Sequence, residues 1–368
     1  MKRIAISPRP DFEQIIRMQG FIYHDLDNYY TETAAYSFSL PEVEKIEKAT
    51  AELYDMCLQA VDYIIDKSLW ARMQIPEAYC DFITQSWRSD DCSLYSRFDL
   101  AYNGNELKML ELNADTPTGL LEASVIQWHW LQDFNPAADQ YNSIHEKLLA
   151  HLEACKPWLG KLFFSSVADS TEDYITVSYL QDCAAQAGYQ TAYIEIEELG
   201  LDGQGRFVAG TEPIEHMFKL YPWEWMFREA YGANLLKQEM NWLEPPYKAL
   251  LSNKMLLPLL WELFPDHPLL LPASTTPLQG SFVKKPIFGR EGANVTIVEN
   301  GKLKATTDGM YGEEGYVFQA YFSIPAFDGY TPIIGSWIVG GEPAGMGIRE
   351  SQSIITGNTA HFAPHFID

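Results

Sequence analysis

Two spacings of apolar residues divide the chain into elements. From Pro41 onward, Val43, Ile46, Leu53, Cys57, Ala60, Val61 and Ile64 recur at three- and four-residue steps, which predicts a long amphipathic helix with Ser39 as its cap and Pro41 in its first turn. Between Tyr95 and Asn113 the period becomes two. Arg97 and Asp99 share one face of a strand, Asn103-Gly104-Asn105 supplies turn residues that tolerate positive φ, and the return strand places Leu107, Met109, Glu111 and Asn113 on one face. This predicts a hairpin on which Arg97, Asp99, Glu111 and Asn113 converge. An apolar helix over Gly119 to Trp130 follows, with Thr116 and Thr118 near its N-terminus, where free amides attract anions.

The next stretch changes style. After a long helix from Ser143 to Cys155, Leu162 to Ser166 reads as a buried strand, Asp173 to Ala187 as a helix stopped by Gly188, and Thr191 to Ile196 as a strand, which is a βαβ unit. Phe218-Lys219-Leu220 is a further short strand. The loop Tyr221 to Trp225 lies beyond its C-terminal end, where open α/β sheets hold ligands, and this makes Glu224 a candidate substrate contact. In the last third, Ser281 to Pro286 and Val295 to Val298 are strands joined by the glycine-containing loop Phe288 to Asn294. Lys284 and Lys285 alternate, so only one of them can face a ligand, and an ordinary exposed edge hairpin fits the pattern equally well. The loop is neither a Walker A loop nor a dinucleotide fingerprint, and it has the form of a lid that brings backbone amides onto phosphates. Val317 to Phe322, Ile333 to Val339, the Gly340-Gly341 turn and Ala344 to Arg349 continue as an antiparallel meander.

Length and composition narrow the classes. A chain of 368 residues holds two or three packed units, expected at 1–140 (helices and the polar hairpin), 141–245 (the βαβ unit) and 246–368 (the lid-bearing sheet). The fold class is α+β / α/β. A net charge of -24 excludes a nucleic-acid footprint, and it fits either steering of a cationic substrate or solubility alone. Five widely spaced cysteines with no CxxC pair suggest neither a disulfide framework nor a zinc site, and point to a reducing compartment. With no apolar leader and no membrane-length apolar run, the expected location is cytoplasmic.

The convergent hairpin carries the first chemistry. Two carboxylates and an amide oxygen (Asp99, Glu111, Asn113) are hard ligands suited to Mg2+, and Arg97 beside them suits a carboxylate or phosphoryl oxygen. Spacing alone is equally compatible with a solvated hairpin carrying an ordinary surface ion pair.

Taken together and in order, Arg97-Phe98-Asp99, Glu111 to Pro117, Ser252-Asn253-Lys254, Val283 to Gly292, Phe318 to Tyr321 and Gly345 to Glu350 resemble the synthetase domain of the glutathionylspermidine synthase family and its stand-alone relatives, over nearly the whole chain. The resemblance implies an ATP-grasp fold with ATP between two antiparallel sheets and a pre-ATP-grasp-like βαβ unit. It implies Arg97 as clamp on the substrate carboxylate and transferred phosphoryl group, Arg349 as phosphate-side arginine, Asp99, Glu111 and Asn113 as magnesium ligands, and Lys254 and Lys285 as phosphate-binding lysines. The Gly289 to Gly292 loop would be the lid, Gln319 to Phe322 (with Tyr321) the adenine-side strand, and Thr116 and Thr118 the hydroxyls near a thiol-peptide substrate.

The implied reaction turns a carboxylate into an acyl phosphate with ATP, and an amine then attacks it to give an amide. Glutathione or another peptide carboxylate and a polyamine or other amine are the implied substrates. The cysteine amidase domain of bifunctional members is lacking, so ligation without the reverse hydrolysis is expected. A metal-dependent hydrolase, an ATP-binding relative without ligase activity and a glycosidase-like pair of acids are the competing classes.

Overall fold

The computed structural model describes residues 1–155, 160–237, 240–357 and 360–368. The long helix runs from Leu40 to Asp66 and starts where the sequence places it: the Glu42 carboxylate accepts the Ser39 N–H at 3.0 Å, and Pro41 occupies the first turn. Its apolar stripe, including Ile46, Leu53, Val61 and Ile64, is buried to the last atom. Each such side chain contributes about 1.5–3 kcal/mol of transfer free energy. The stripe packs on the back of a five-stranded antiparallel sheet, and the Thr50 and Ser336 hydroxyls meet there at 2.7 Å.

That sheet has the order His361–Ala363, Glu342–Ser351, Thr331–Val339, Tyr95–Tyr102, Leu107–Asn113, so it takes strands from both halves of the chain. The expected meander is therefore divided. Tyr316–Ala320 belongs instead to a second antiparallel sheet ordered Ala273–Ser274, Tyr316–Ala320, Phe282–Pro286, Thr296–Glu299, Lys302–Thr306. The break falls at 321–330, where the chain crosses from one sheet to the other.

The βαβ unit is present as Lys161–Ser166, the helix Thr171–Gln186 and Gln190–Glu195, within a four-stranded parallel sheet completed by His216–Lys219 and Asn241–Leu243. Tyr95 ties the parallel sheet to the central one, because its ring stacks on Trp337 at 6.0 Å and on Phe218 at 6.1 Å. The helix after the hairpin is continuous from Leu120 to Phe134 with a π turn over Glu122–Ile126.

The sequence reading needs two further corrections. The return strand does not keep one face: Asp99 pairs with Glu111 but Leu100 pairs with Met109, so Leu110 is the extra residue of a β-bulge. Leu107 and Met109 are consequently buried in the core, while Leu110, Glu111 and Asn113 line the cavity described below. The second concerns cysteine. Cys92 and Cys155 form a disulfide across 63 residues of sequence, a pairing that spacing could not reveal because the fold brings the ends together. Among the described residues no helix is long and apolar enough to cross a membrane.

Candidate active site

A cavity of about 630 Å³ lies between the two antiparallel sheets. The hairpin register sets its floor, since Arg97 stands opposite Asn113 and Asp99 opposite Glu111. Asp99 is held from two sides: Arg97 Nε donates to Oδ1 at 2.9 Å and Arg349 Nη2 to Oδ2 at 2.7 Å. Arg97 also donates to the Thr118 carbonyl at 2.5 Å and lies over the Trp337 ring. Gly335 makes room for it, because a Cβ there would lie 3.0 Å from Arg97 Cδ.

The roof comes from the second sheet. Lys285, only 8% exposed, donates to Gln319 Oε1 at 2.8 Å and across the cavity to the Leu110 carbonyl at 3.0 Å. Gln319 reaches the same strand through Met109 O at 3.1 Å. Lys254 bridges the two halves, lying 3.1 Å from Glu111 Oε2 and donating to Gly289 O of the lid loop at 2.6 Å. Gly292 has φ +68, and a Cβ there would come within 2.6 Å of the Thr356 carbonyl, so only glycine fits this bend.

These charges tune one another. Burial alone would raise the Glu111 carboxyl, but Lys254, Lys285 and Arg349 outweigh it and hold the group down at about 2. Burial lowers the Lys285 ammonium to about 8, with Glu111 opposing and Lys254 assisting. Glu111 is therefore ionised at neutral pH and Lys285 is cationic but close to titrating.

Asn113, Thr116, Thr118, Gly289, Gly292, Tyr321 and Arg349 all line the cavity with the residues above. Glu224 does not. Its carboxylate pairs with Arg290 at 2.5 Å, and Arg290 in turn donates to Thr116 Oγ1 at 2.6 Å, so Glu224 orients an arginine of the lid loop. Sequence reasoning missed the acidic end of the cavity, where Glu172 and Asp173 project from the first turn of the helix Thr171–Gln186 beside Tyr23 and Tyr29. Burial and then Glu172 raise Asp173 to about 7. Their position beyond the C-terminal end of the strand Lys161–Ser166 was the available signal. It also missed the ion pair of Lys219 and Asp115, 2.7 Å apart and wholly buried, which fixes the segment below Thr116.

Residues 3–368 match the family described as glutathionylspermidine synthase preATP-grasp. The chain belongs to that family. It is 42% identical to a putative acid–amine ligase of Haemophilus influenzae, covering 100% of this chain and 99% of that protein. It is 29% identical to trypanothione synthetase of Crithidia fasciculata and 26% identical to the bifunctional glutathionylspermidine synthetase/amidase of Escherichia coli, spanning 53% and 60% of those longer proteins. The family is one of synthetase enzymes. Among solved structures, a glutathione synthetase-like effector (GSS30) of Globodera pallida in its apo form superposes with a TM-score of 0.55 at 11% identity, covering 99% of this chain and 100% of that one. This likeness identifies the mixed α/β fold as glutathione synthetase-like.

Proposed function

We propose that the protein is an ATP-dependent acid–amine ligase of the ATP-grasp type, forming an amide through an acyl phosphate. The observation that carries this reading is the concentration of Arg97, Lys254, Lys285, Arg290 and Arg349 around one cavity in a chain of net charge -24. These five cations share the lining with five acids, Asp99, Glu111, Glu172, Asp173 and Glu291, and the mixture suits a polyanion such as a triphosphate that brings a divalent cation with it. Lys285, Lys254 and Gln319 reach across the cavity, and the space between the two sheets would take the nucleotide, with Gln319 and Tyr321 on its adenine side.

The donor set fits magnesium. Asp99 and Glu111 are adjacent across a rigid hairpin, their neighbours keep Glu111 ionised, and the Asn113 amide is a third hard oxygen donor. When bound there, Mg2+ would neutralise phosphate charge and orient the transferring group. Arg97, anchored by Asp99 and Thr118 O, presents its remaining donors to the attacking carboxylate and to the phosphoryl oxygens. Lys254, Lys285 and Arg349 neutralise charge that grows on those oxygens, and the lid loop excludes water that would hydrolyse an acyl phosphate. Glu172 and Asp173 give the other end of the cavity the charge to receive a cationic amine. No protein nucleophile is required.

Relatives named glutathionylspermidine and trypanothione synthetases support a peptide carboxylate and a polyamine as the first pair to test. A metal-dependent hydrolase would use the carboxylates but has no need of Lys254, Lys285 and a lid. The deciding experiment crosses glutathione and other peptides with polyamines and other amines, and reads ADP release together with product mass. ADP that appears only when acid and amine are both present, with an amide of the summed mass less water, is the expected result. Hydrolysis of a preformed amide without ATP would replace this reading with the hydrolase.

A further inference from the structure

We propose that Cys92 and Cys155 are a reversible dithiol/disulfide pair, activated by His151, that fastens the start of the Arg97 strand to the helix Ile144–Ala154. The two sulfurs are bonded in this structure. Both residues are half-buried and within reach of small reagents, as is the free Cys80, whereas Cys57 and Cys183 are buried. The site lies outside the cavity and owes nothing to the ligase reading.

His151 Nε2 lies 3.6 Å from Cys92 Sγ and 3.5 Å from Cys155 Sγ. Separations of about 3.5 Å would also suit the edges of a tetrahedral thiolate and imidazole metal site, so the tautomer must decide between the two. Nε2 is 2.9 Å from the Ser93 carbonyl oxygen, which can only accept. Nε2 therefore carries the proton and has no lone pair to give a metal. The other ring nitrogen is packed against Gly340, where a Cβ would come within 2.6 Å of Nδ1. That single N–H is shared between the Ser93 carbonyl at 2.9 Å and the two sulfurs at 3.5 and 3.6 Å, and its positive end beside the sulfurs favours the thiolate, the form that exchanges with disulfides.

The chemistry needs an oxidant, and a low-molecular-weight disulfide supplies it. One cysteine thiolate attacks that disulfide, breaking its S–S bond and releasing one small thiolate. The second cysteine then attacks the mixed disulfide, closing the Cys92–Cys155 bond and releasing the other. Two protein thiols lose two electrons and two protons, and two small thiols are formed.

The position of Cys92 gives the bond a consequence. Between it and Arg97 the backbone is tied to other parts of the fold, among them Ser93 O to His151, Leu94 O to the Gly340 N–H at 3.0 Å, the Leu94 and Tyr95 N–H groups to Glu244 at 3.0 Å, and Tyr95 O to Lys248 at 3.1 Å. The disulfide adds a covalent tie at the head of this anchor.

The test uses the full chain, reduced, freed of reductant and exposed to bis(2-hydroxyethyl) disulfide, then acid-quenched, alkylated and mapped without reduction. Thiols titrated in denaturant should fall from five to three, with a Cys92–Cys155 cross-linked peptide that dithiothreitol reverses. Retention of five thiols, or a cross-link between other cysteines, would overturn the pair. So would one equivalent of zinc retained by the reduced protein and lost in Cys92→Ser. His151→Gln should slow oxidation about tenfold, and wild-type speed would remove His151 from the proposal. Independently of any variant, the alkylation rate of Cys92 in the reduced protein should rise with an apparent pKa below the free-thiol value of about 8.5, and a value at or above it would contradict activation.

Discussion

Two hairpins face each other across the cavity, and their burial differs throughout. In Tyr95–Tyr102 all eight residues are buried, and the strand is paired on both sides, by Leu107–Asn113 and by Thr331–Val339. Phe282–Pro286 is likewise paired on both sides, by Tyr316–Ala320 and Thr296–Glu299, but only its last two residues are buried, and the sheet ends in Lys302–Thr306, where Leu303 is 66% exposed and Lys302 and Lys304 mark a protected edge. Under the proposed function, the chemistry that depends on tenths of an ångström would sit on the first hairpin and the parts that open and close on the second. Both strands have a partner on each side, so the difference lies in burial: backbone under fully buried side chains opens with the fold, while half-exposed backbone opens locally. The proposal accordingly gives transition-state work to the buried half and nucleotide capture to the more exposed half.

Substitutions should separate the halves. The largest effect is expected from Glu111→Gln, which keeps shape but removes a carboxylate held ionised by three cations; turnover by ADP release should fall to background with an unchanged circular-dichroism spectrum. Near-normal turnover would remove Glu111 from the mechanism. Arg97→Lys should lower kcat on the order of 10²-fold, the scale of one electrostatic donor, because a point charge cannot hold two oxygens in a plane. ATP affinity by calorimetry should change little in that variant and should weaken clearly in Lys285→Ala. The reverse pattern would put Arg97 in the nucleotide half.

A third effect is pH-dependent and smaller. A nucleotide anion binds the protonated form of Lys285, whose pKa in the free protein is about 8. ATP affinity should therefore be constant below pH 7 and fall as pH rises through 8, by at most about tenfold per unit. Because Glu111 raises the Lys285 pKa, the break should move to lower pH in Glu111→Gln; an unmoved break would mean that another group titrates. The smallest effect concerns the lid: limited proteolysis at residues 286–294 should slow severalfold with Mg-ATP, and equal cleavage with and without it would count against a closing loop.

Much of the first hairpin was legible because two polar residues two apart, Arg97 and Asp99, face two others across an obvious Asn-Gly-Asn turn. The bulge at Leu110 was not, because an inserted residue leaves an alternating strand looking alternate while it turns Met109 into the core. Lys254 and Lys285 were found through the resemblance, and only their distances reveal that Lys254 joins the lid to Glu111. Glu172 and Asp173 escaped notice because acids in a first helical turn are ordinary partners of the helix dipole, and their position just beyond a strand's C-terminal end was the one sequence signal of a cavity. The Cys92–Cys155 bond depends on where the segments before the hairpin and after the helix Ile144–Ala154 come to rest, which is decided by packing distant in sequence.

The contrast between the halves is tested most directly by hydrogen–deuterium exchange with and without a non-hydrolysable Mg-ATP analogue. Peptides covering 282–299 should gain protection on binding, while those covering 95–102 should be slow to exchange from the start and stay so. Protection confined to the parallel sheet at 161–219, with 282–299 unchanged, would contradict a nucleotide held between the two antiparallel sheets.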